Sequence, residues 1–150
     1  RDLSQSLKYQ LKKTEIRNVD ETASTLIKEQ EGTNTVSQIS QTTVLDKRDN
    51  RYEPKDGYVV SLTNELAGLS GDTQHLRTRI KTGYFVSLFE DKVLAFIAES
   101  GHIIGIDQDV NIGERFFLGG QTVRGFSNSG IGPRDGLTND ALGGNTYYAG

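Results

Sequence analysis

Gln74-His75-Leu76-Arg77-Thr78-Arg79-Ile80-Lys81-Thr82-Gly83-Tyr84-Phe85-Val86-Ser87-Leu88-Phe89 alternates in character along its whole length. Leu76, Thr78, Ile80, Thr82, Tyr84, Val86 and Leu88 fall on one face, and His75, Arg77, Arg79, Lys81, Gly83, Phe85, Ser87 and Phe89 on the other. A period of two is the mark of a β-strand, whose successive side chains point to opposite faces. The potential cations His75, Arg77, Arg79 and Lys81 all share one face. At roughly 3.3 Å per residue the run is longer than most globular sheets use, and it suits the wall of a membrane barrel.

The neighbouring segments extend the pattern. From Gly57 to Ala67, Tyr58, Val60, Leu62 and Leu66 share one face, with Val59, Ser61, Thr63 and Glu65 on the other. Leu69-Ser70-Gly71-Asp72-Thr73 then predicts a short hairpin connection, so the two strands pair antiparallel. After a tight polar turn at Glu90-Asp91, a strand runs from Lys92 to Ile104 with Leu94, Phe96 and Ala98 outward and Val93, Ala95, Ile97 and Glu99 inward. Upstream, Ser37 to Asp46 and Ser6 to Val19 read as two more strands, the earlier one rich in Lys and without clear alternation. Between them Asp20-Glu21-Thr22 offers cap-like residues, Leu26 and Ile27 an apolar spot and Gly32 a stop, which predicts a short helix over Glu21 to Glu31. The long connections at 20–35 and 105–143 lie at one end of the sheet and the turn at 90–92 at the other, the loop asymmetry of a barrel.

Composition narrows the function classes. A net charge of −3 with dispersed basic residues gives no footprint for nucleic acid. No run approaches the length of apolar sequence that a transmembrane helix needs, and zero Cys fits many compartments. A mean hydropathy of −0.51 does not exclude a barrel, because barrel strands are apolar only on alternate residues.

The connection 105–143 is too long to be idle in a compact fold. It contains Arg115-Phe116-Phe117-Leu118-Gly119-Gly120, Val123-Arg124-Gly125-Phe126 and Gly132-Pro133-Arg134-Asp135, closing on Gly143-Gly144-Asn145. Glycines beside aromatics and isolated arginines suggest a loop that packs inward. Gly119-Gly120 is followed by no Lys-Ser or Lys-Thr and by no helix signal, which argues against a phosphate cradle. Asp107, Asp109 and Asn111 imitate the start of a calcium loop, but Ile112 and Leu118 occupy the positions that need Gly and Glu. His75 and His102 have no partner at metal or nucleophile spacing and read as lumen-facing or loop residues. No paired carboxylates, Cys nucleophile or metal box appears, so neither catalysis nor a cofactor is expected. On the residues alone, Val123 to Phe126 could equally be a glycine turn with a solvated Arg, and Arg77, Arg79 and Lys81 the wet side of a soluble, ligand-binding sheet.

The four loop segments in this order resemble the sixth extracellular loop of the BamA family of outer-membrane barrels, the bacterial surface antigens. The stretch Leu45-Asp46-Lys47-Arg48-Asp49-Asn50-Arg51-Tyr52-Glu53-Pro54-Lys55-Asp56-Gly57-Tyr58 is similar to the periplasmic turn that enters that family's ninth strand. Both stand at the family's spacing. The resemblance implies an all-β fold, with residues 1–150 an antiparallel segment of about six strands of a sixteen-stranded transmembrane β-barrel, from about the seventh strand to the start of the twelfth. It implies that 105–143 is the long inward-folding loop, and that the POTRA domains and gate strands lie outside this sequence. The implied docking motif is Val123, Arg124, Gly125 and Phe126. Gly119, Gly120, Gly132, Arg134 and Asp135 support the loop.

In the family the Arg corresponding to Arg124 meets acids on later strands, a task that suits a rigid bidentate fork. Here Asp135 and Glu99 are the local carboxylates that could substitute. Phe126 would anchor the loop by apolar packing and Gly125 would allow a sharp turn. The implied function is assembly and insertion of outer-membrane proteins in a bacterial outer membrane. The implied partners are the lipid bilayer, nascent outer-membrane proteins and accessory assembly lipoproteins. The alternative is a two-partner-type secretion pore of the same superfamily.

Overall fold

A computed structural model describes residues 2–89 and 92–150. Six strands follow one another in chain order and pair antiparallel with their sequence neighbours: β1 (Leu3–Ile16), β2 (Gly32–Asp46), β3 (Gly57–Gly71), β4 (His75–Phe89), β5 (Lys92–Gly105) and β6 (Thr146–Ala149). A four-residue helix, α1 (Thr25–Lys28), lies between β1 and β2, and one 3-10 turn, η1 (Ile112–Glu114), lies in the connection from β5 to β6. No helix among the described residues is long and apolar enough to cross a membrane, and a β-barrel needs none.

The facing read from alternation holds for β3, β4 and β5. Tyr58, Leu62 and Ile80 are 40%, 37% and 43% exposed on the outer face. They are not enclosed by a second sheet, because the described strands form a single six-stranded one. That excludes a sandwich core and gives the outer face its apolar, lipid-compatible character. The two polar residues Asn64 and Thr78, opposed in register on this face, satisfy each other through a 3.0 Å hydrogen bond.

The shielded apolar side chains, Val36, Ala67, Ile103 and Tyr147 from the strands and Val110 and Ile112 from the long connection, gather where that connection folds over the inner face. The register puts Glu65 opposite Arg77, and Lys81 opposite Glu99, on this inner face. Opposite charges directly across a ladder stabilise the pairing and neutralise the wall.

Several boundaries differ from expectation. β2 begins at Gly32 instead of Ser37, and β3 continues to Gly71, shortening the hairpin before β4. β1 runs from Leu3 to Ile16, three residues earlier than read at both ends, because Leu3 pairs with Leu45 and the left-handed Asn18 (φ 55°) breaks the ladder. Its alternation is present after all: Leu7, Tyr9 and Leu11 are exposed on the outer face while Lys12 points inward to the loop. The helix expected over Glu21 to Glu31 shrinks to α1, since Asp20 caps Thr22 in a side-chain turn (Oδ1 to N, 2.8 Å). A helix this short has little stability of its own.

His102 was expected to face the lumen or to lie in a loop. Instead it faces outward, opposed to Thr78 and Thr146, with its Nδ1 2.6 Å from the Thr146 hydroxyl. With Glu99 inward, period-two counting already puts residue 102 outside. His75, by contrast, is fully enclosed on the inner face. The turn at Glu90-Asp91 lies outside the described residues.

The connection 47–56 is rigidly built. Asp49 accepts from the Lys55 and Asp56 amides at 2.9 and 3.1 Å, Arg48 grips Asp46 through two bonds of 2.8 Å, and Asp56 accepts from the Ser87 amide at 3.1 Å.

Candidate functional site

The inner face of β4 carries cations whose charge has to be balanced. Arg77 spans the gap between wall and loop: Nη1 donates to Glu65 Oε2 at 2.9 Å, and Nη2 donates both to Glu114 Oε2 at 2.8 Å and to the Glu114 carbonyl at 2.6 Å. The side chains of Arg77 and Glu114 are 9% and 8% exposed, so the pair is shielded from water. A planar fork can hold two acids in fixed directions, which an ammonium cannot do. Lys12 reaches Glu114 from β1 at 3.2 Å, but it is nearly half exposed and adds no more than about 1 kcal/mol.

Two residues after Glu114, Phe116 lies on the wall. The guanidinium carbons of Arg77 and Arg79 stand 5.7 and 5.8 Å from its ring centroid, and its ring meets that of Tyr147 at 4.7 Å and 56°. Both geometries are attractive, the cations against the ring face and the rings tilted edge to face. Gly101, opposite Arg79 on one side and Tyr147 on the other, provides the flat floor. A Cβ there would collide with the Tyr147 ring and meet Phe116 at 2.9 Å. Tyr147 donates to Glu99 at 2.9 Å, and Lys81 pairs with the other oxygen of Glu99 at 2.7 Å.

The backbone holds this geometry. Phe116 and Gly144 exchange two hydrogen bonds of 2.9 and 2.8 Å, and Arg115 ties the limbs by donating to the carbonyls of Val110 at 3.1 Å and Leu142 at 3.4 Å. The arrangement locks a long loop against a charged wall.

Burial pushes the Glu114 carboxyl up, but the hydrogen bond from Arg77 and the Lys12 charge outweigh it and hold the group below its ordinary value. A carboxylate lowered on docking contributes stability that is fully present above the undocked pKa and is lost as pH falls through the docked one. The loop is therefore expected to stay docked at neutral pH and to release in acid below the usual carboxylate range. Limited proteolysis of the loop across pH checks this: Glu114→Gln should flatten the acid limb, and an unchanged acid limb in that variant would assign the release to another group.

The residues singled out from sequence follow Phe116 along the connection, between Gly119 and Asp135. Gly119 is buried, and a Cβ there, at φ +125°, would run into the Ser127 carbonyl. Gly120 donates to the Phe126 carbonyl at 2.8 Å. Arg134 donates to the carbonyls of Asn139 (2.8 Å) and Ser129 (3.1 Å), and Asp135 accepts from the Leu137 and Thr138 amides, each at 2.9 Å. Those amide bonds hold the exposed Asp135 carboxyl below the usual range. Gly132 has φ +130° and open space around it.

Val123 is half-buried, Arg124 and Gly125 are exposed, and Phe126 is 54% exposed. Val123 and Arg124 line a cleft of about 580 Å³ with Ile97, Glu99 and Tyr148 beside β6. Arg124 makes no hydrogen bond or ion pair among the described residues. Neither local carboxylate substitutes, since Glu99 is engaged by Lys81 and Tyr147 and Asp135 by its own turn. The contact between loop and described wall centres instead on Glu114, which the motif reading passed over, and on Phe116, which stands in the quoted Arg115–Gly120 segment but was given no role there. One signal was available: an inner face with three cations on β4 beside two inward acids, Glu65 and Glu99, on the adjoining strands asks for another carboxylate.

A family model described as the Omp85 superfamily domain matches residues 1–150. The chain is 42% identical over 151 residues to the outer membrane protein assembly factor BamA of Neorickettsia risticii, covering 99% of this chain and 20% of that protein. It is 37% identical over 150 residues to the sorting and assembly machinery component 50 homolog of Xenopus tropicalis, covering 98% of this chain and 32% of that protein. A second BamA, from Nitratidesulfovibrio vulgaris, is 30% identical over 140 residues, covering 91% and 18%. The chain thus spans about a fifth to a third of the length of these relatives.

Proposed function

The chain belongs to the Omp85 superfamily, and on that premise we propose that it forms the wall and inward-folded loop of a factor that folds and inserts β-barrel proteins in the bacterial outer membrane. The observation that carries the reading is the loop clamped by Glu114 and Phe116 onto a charged inner wall whose outer face is apolar. Such a sheet has two environments to satisfy, hydrocarbon outside and enclosed water inside. A brace that crosses several strands on the inside keeps the wall from splaying while pairing elsewhere is exchanged.

In this reading the chain contributes about strand seven to the start of strand twelve of a sixteen-stranded barrel, and 105–143 is its sixth extracellular loop. The POTRA domains and the gate strands belong to other parts of the protein. A nascent strand gains backbone hydrogen bonds from a weakly paired edge as it leaves water. No covalent step is involved, so the protein acts without being an enzyme. Accessory assembly lipoproteins and nascent barrels are its partners, and Val123 to Phe126 dock through acids on later strands. The relatives carry assembly in their names, so the secretion-pore alternative is not favoured.

Arg124→Ala in the full-length protein is expected to weaken heat-modifiability of the barrel and lower the levels of several outer-membrane proteins together. Unchanged heat-modifiability with unchanged protein levels would remove the docking role of Arg124. Loss confined to one exported substrate would return the secretion pore to first place.

A further inference from the structure

Each of the two short helical turns at the loop end of the sheet lacks a cap from its own N-cap residue. Ser24 precedes α1 and Asn111 precedes η1, and neither side chain makes a cap hydrogen bond. Amides at a helix start have no intrahelical partner and need one from elsewhere. Here each comes from the other segment. Asp140, in the long loop, accepts the Ser24 amide on Oδ2 at 2.8 Å, and Gln30, in the β1–β2 connection, accepts the Ile112 amide on Oε1 at 2.9 Å. Ser24 is 1% exposed, so its amide has no ready replacement in solvent.

These two bonds span 116 and 82 residues of sequence and cross between the same pair of segments in opposite directions. Ile112 opens the turn that ends in Glu114, so the Gln30 bond acts two residues from the acid that grips Arg77. Thr138 donates to the same Asp140 oxygen at 2.9 Å, which aims the carboxylate at Ser24. Lys12 adds a third tie from β1 itself.

We propose that the β1–β2 connection is a clasp that positions Glu114 for docking, with Gln30 and Asp140 as its positioning residues. The clasp rests on the proposed bracing role of the long loop and adds to it a condition. The loop seats fully only when β1 and β2 hold their connection in place, so a disturbance of that hairpin is transmitted to the brace. The fit is local to this chain, since both donors and both acceptors lie within it.

The test uses the full-length protein, free of other cysteines, with Val110→Cys as reporter; Val110 is 5% exposed under the seated loop. Maleimide labelling in intact cells is expected to accelerate about tenfold with Gln30→Leu and with Asp140→Leu, each of which strands a buried amide. Asp140→Asn keeps an oxygen acceptor and should label at the parent rate. Unchanged labelling in both leucine variants overturns the clasp, and so does an Asp140→Asn rate equal to that of Asp140→Leu, which would also expose a leucine variant that merely misfolds. If Glu114→Gln accelerates labelling while the leucine variants do not, the clasp fails and the docking stands. If Glu114→Gln releases the loop with no change in outer-membrane protein levels, the bracing role fails instead.

Discussion

Glu114→Ala should release the long loop and destabilise the barrel by about 1.5–3 kcal/mol, the cost of losing a buried charge-assisted hydrogen bond from an arginine that keeps its second acid. Arg77 would keep Glu65 but lose its one bond to the Glu114 side chain and the fit that places the Glu114 carbonyl on Nη2. Removing this carboxylate also leaves its two cationic partners, Arg77 and Lys12, to repel each other. The magnitude separates this pair from the others nearby. Exposed pairs such as Arg17 with Glu15 are worth no more than about 1 kcal/mol, so Glu15→Ala is the matched control. A heat-modifiability midpoint for Glu114→Ala within the range of that control would show that the Arg77 pair does not hold the loop. Replacing Arg77 and Glu114 together by apolar residues of similar volume should recover part of the loss, because Glu65 then still has Arg79 at 3.9 Å and no shielded charge is left without a partner.

Gly101→Val is expected to cost about 1–3 kcal/mol and to unseat the loop at the same time, through crowding instead of charge. Gly101 has ordinary extended backbone, so the glycine is needed for space and not for a special φ. A side chain at this position would occupy the volume that the Tyr147 and Phe116 rings share. Pushing Phe116 off the wall breaks its contacts with Arg77 and Arg79, and pushing Tyr147 breaks its hydrogen bond to Glu99. The clean comparison is Gly113→Val, whose Cβ would meet nothing within 4 Å. Protease sensitivity of the loop should rise with the first substitution and stay low with the second. Equal sensitivity in the two variants would mean that the rings do not need the floor.

Both predictions involve residues that motif matching did not select, and the reason lies in how each kind of information is encoded. The motif at Val123 to Phe126 was legible because a short string of unusual residue types stands out in one dimension. Glu114 does not stand out. Its importance comes from Arg77, 37 residues earlier, and Lys12, 102 residues earlier, which only the folded chain brings to it. Gly101 likewise looked like one more small residue in a strand until Phe116 was seen to lie over it. The helix expected at Glu21 to Glu31 failed for a related reason. Local cap signals were read as a helix start, whereas the Asp20 turn delays the helix and the Ser24 amide is taken by Asp140 from the far loop.

By itself the sequence determined β3, β4 and β5, their antiparallel order, their apolar outer face and their charged inner one, because period-two alternation is a property of adjacent residues and survives any tertiary arrangement. Only the tertiary structure decided which side chains of the long connection touch the wall. That choice depends on where a loop's path carries each residue over a surface built from five other segments, and no local periodicity records the path.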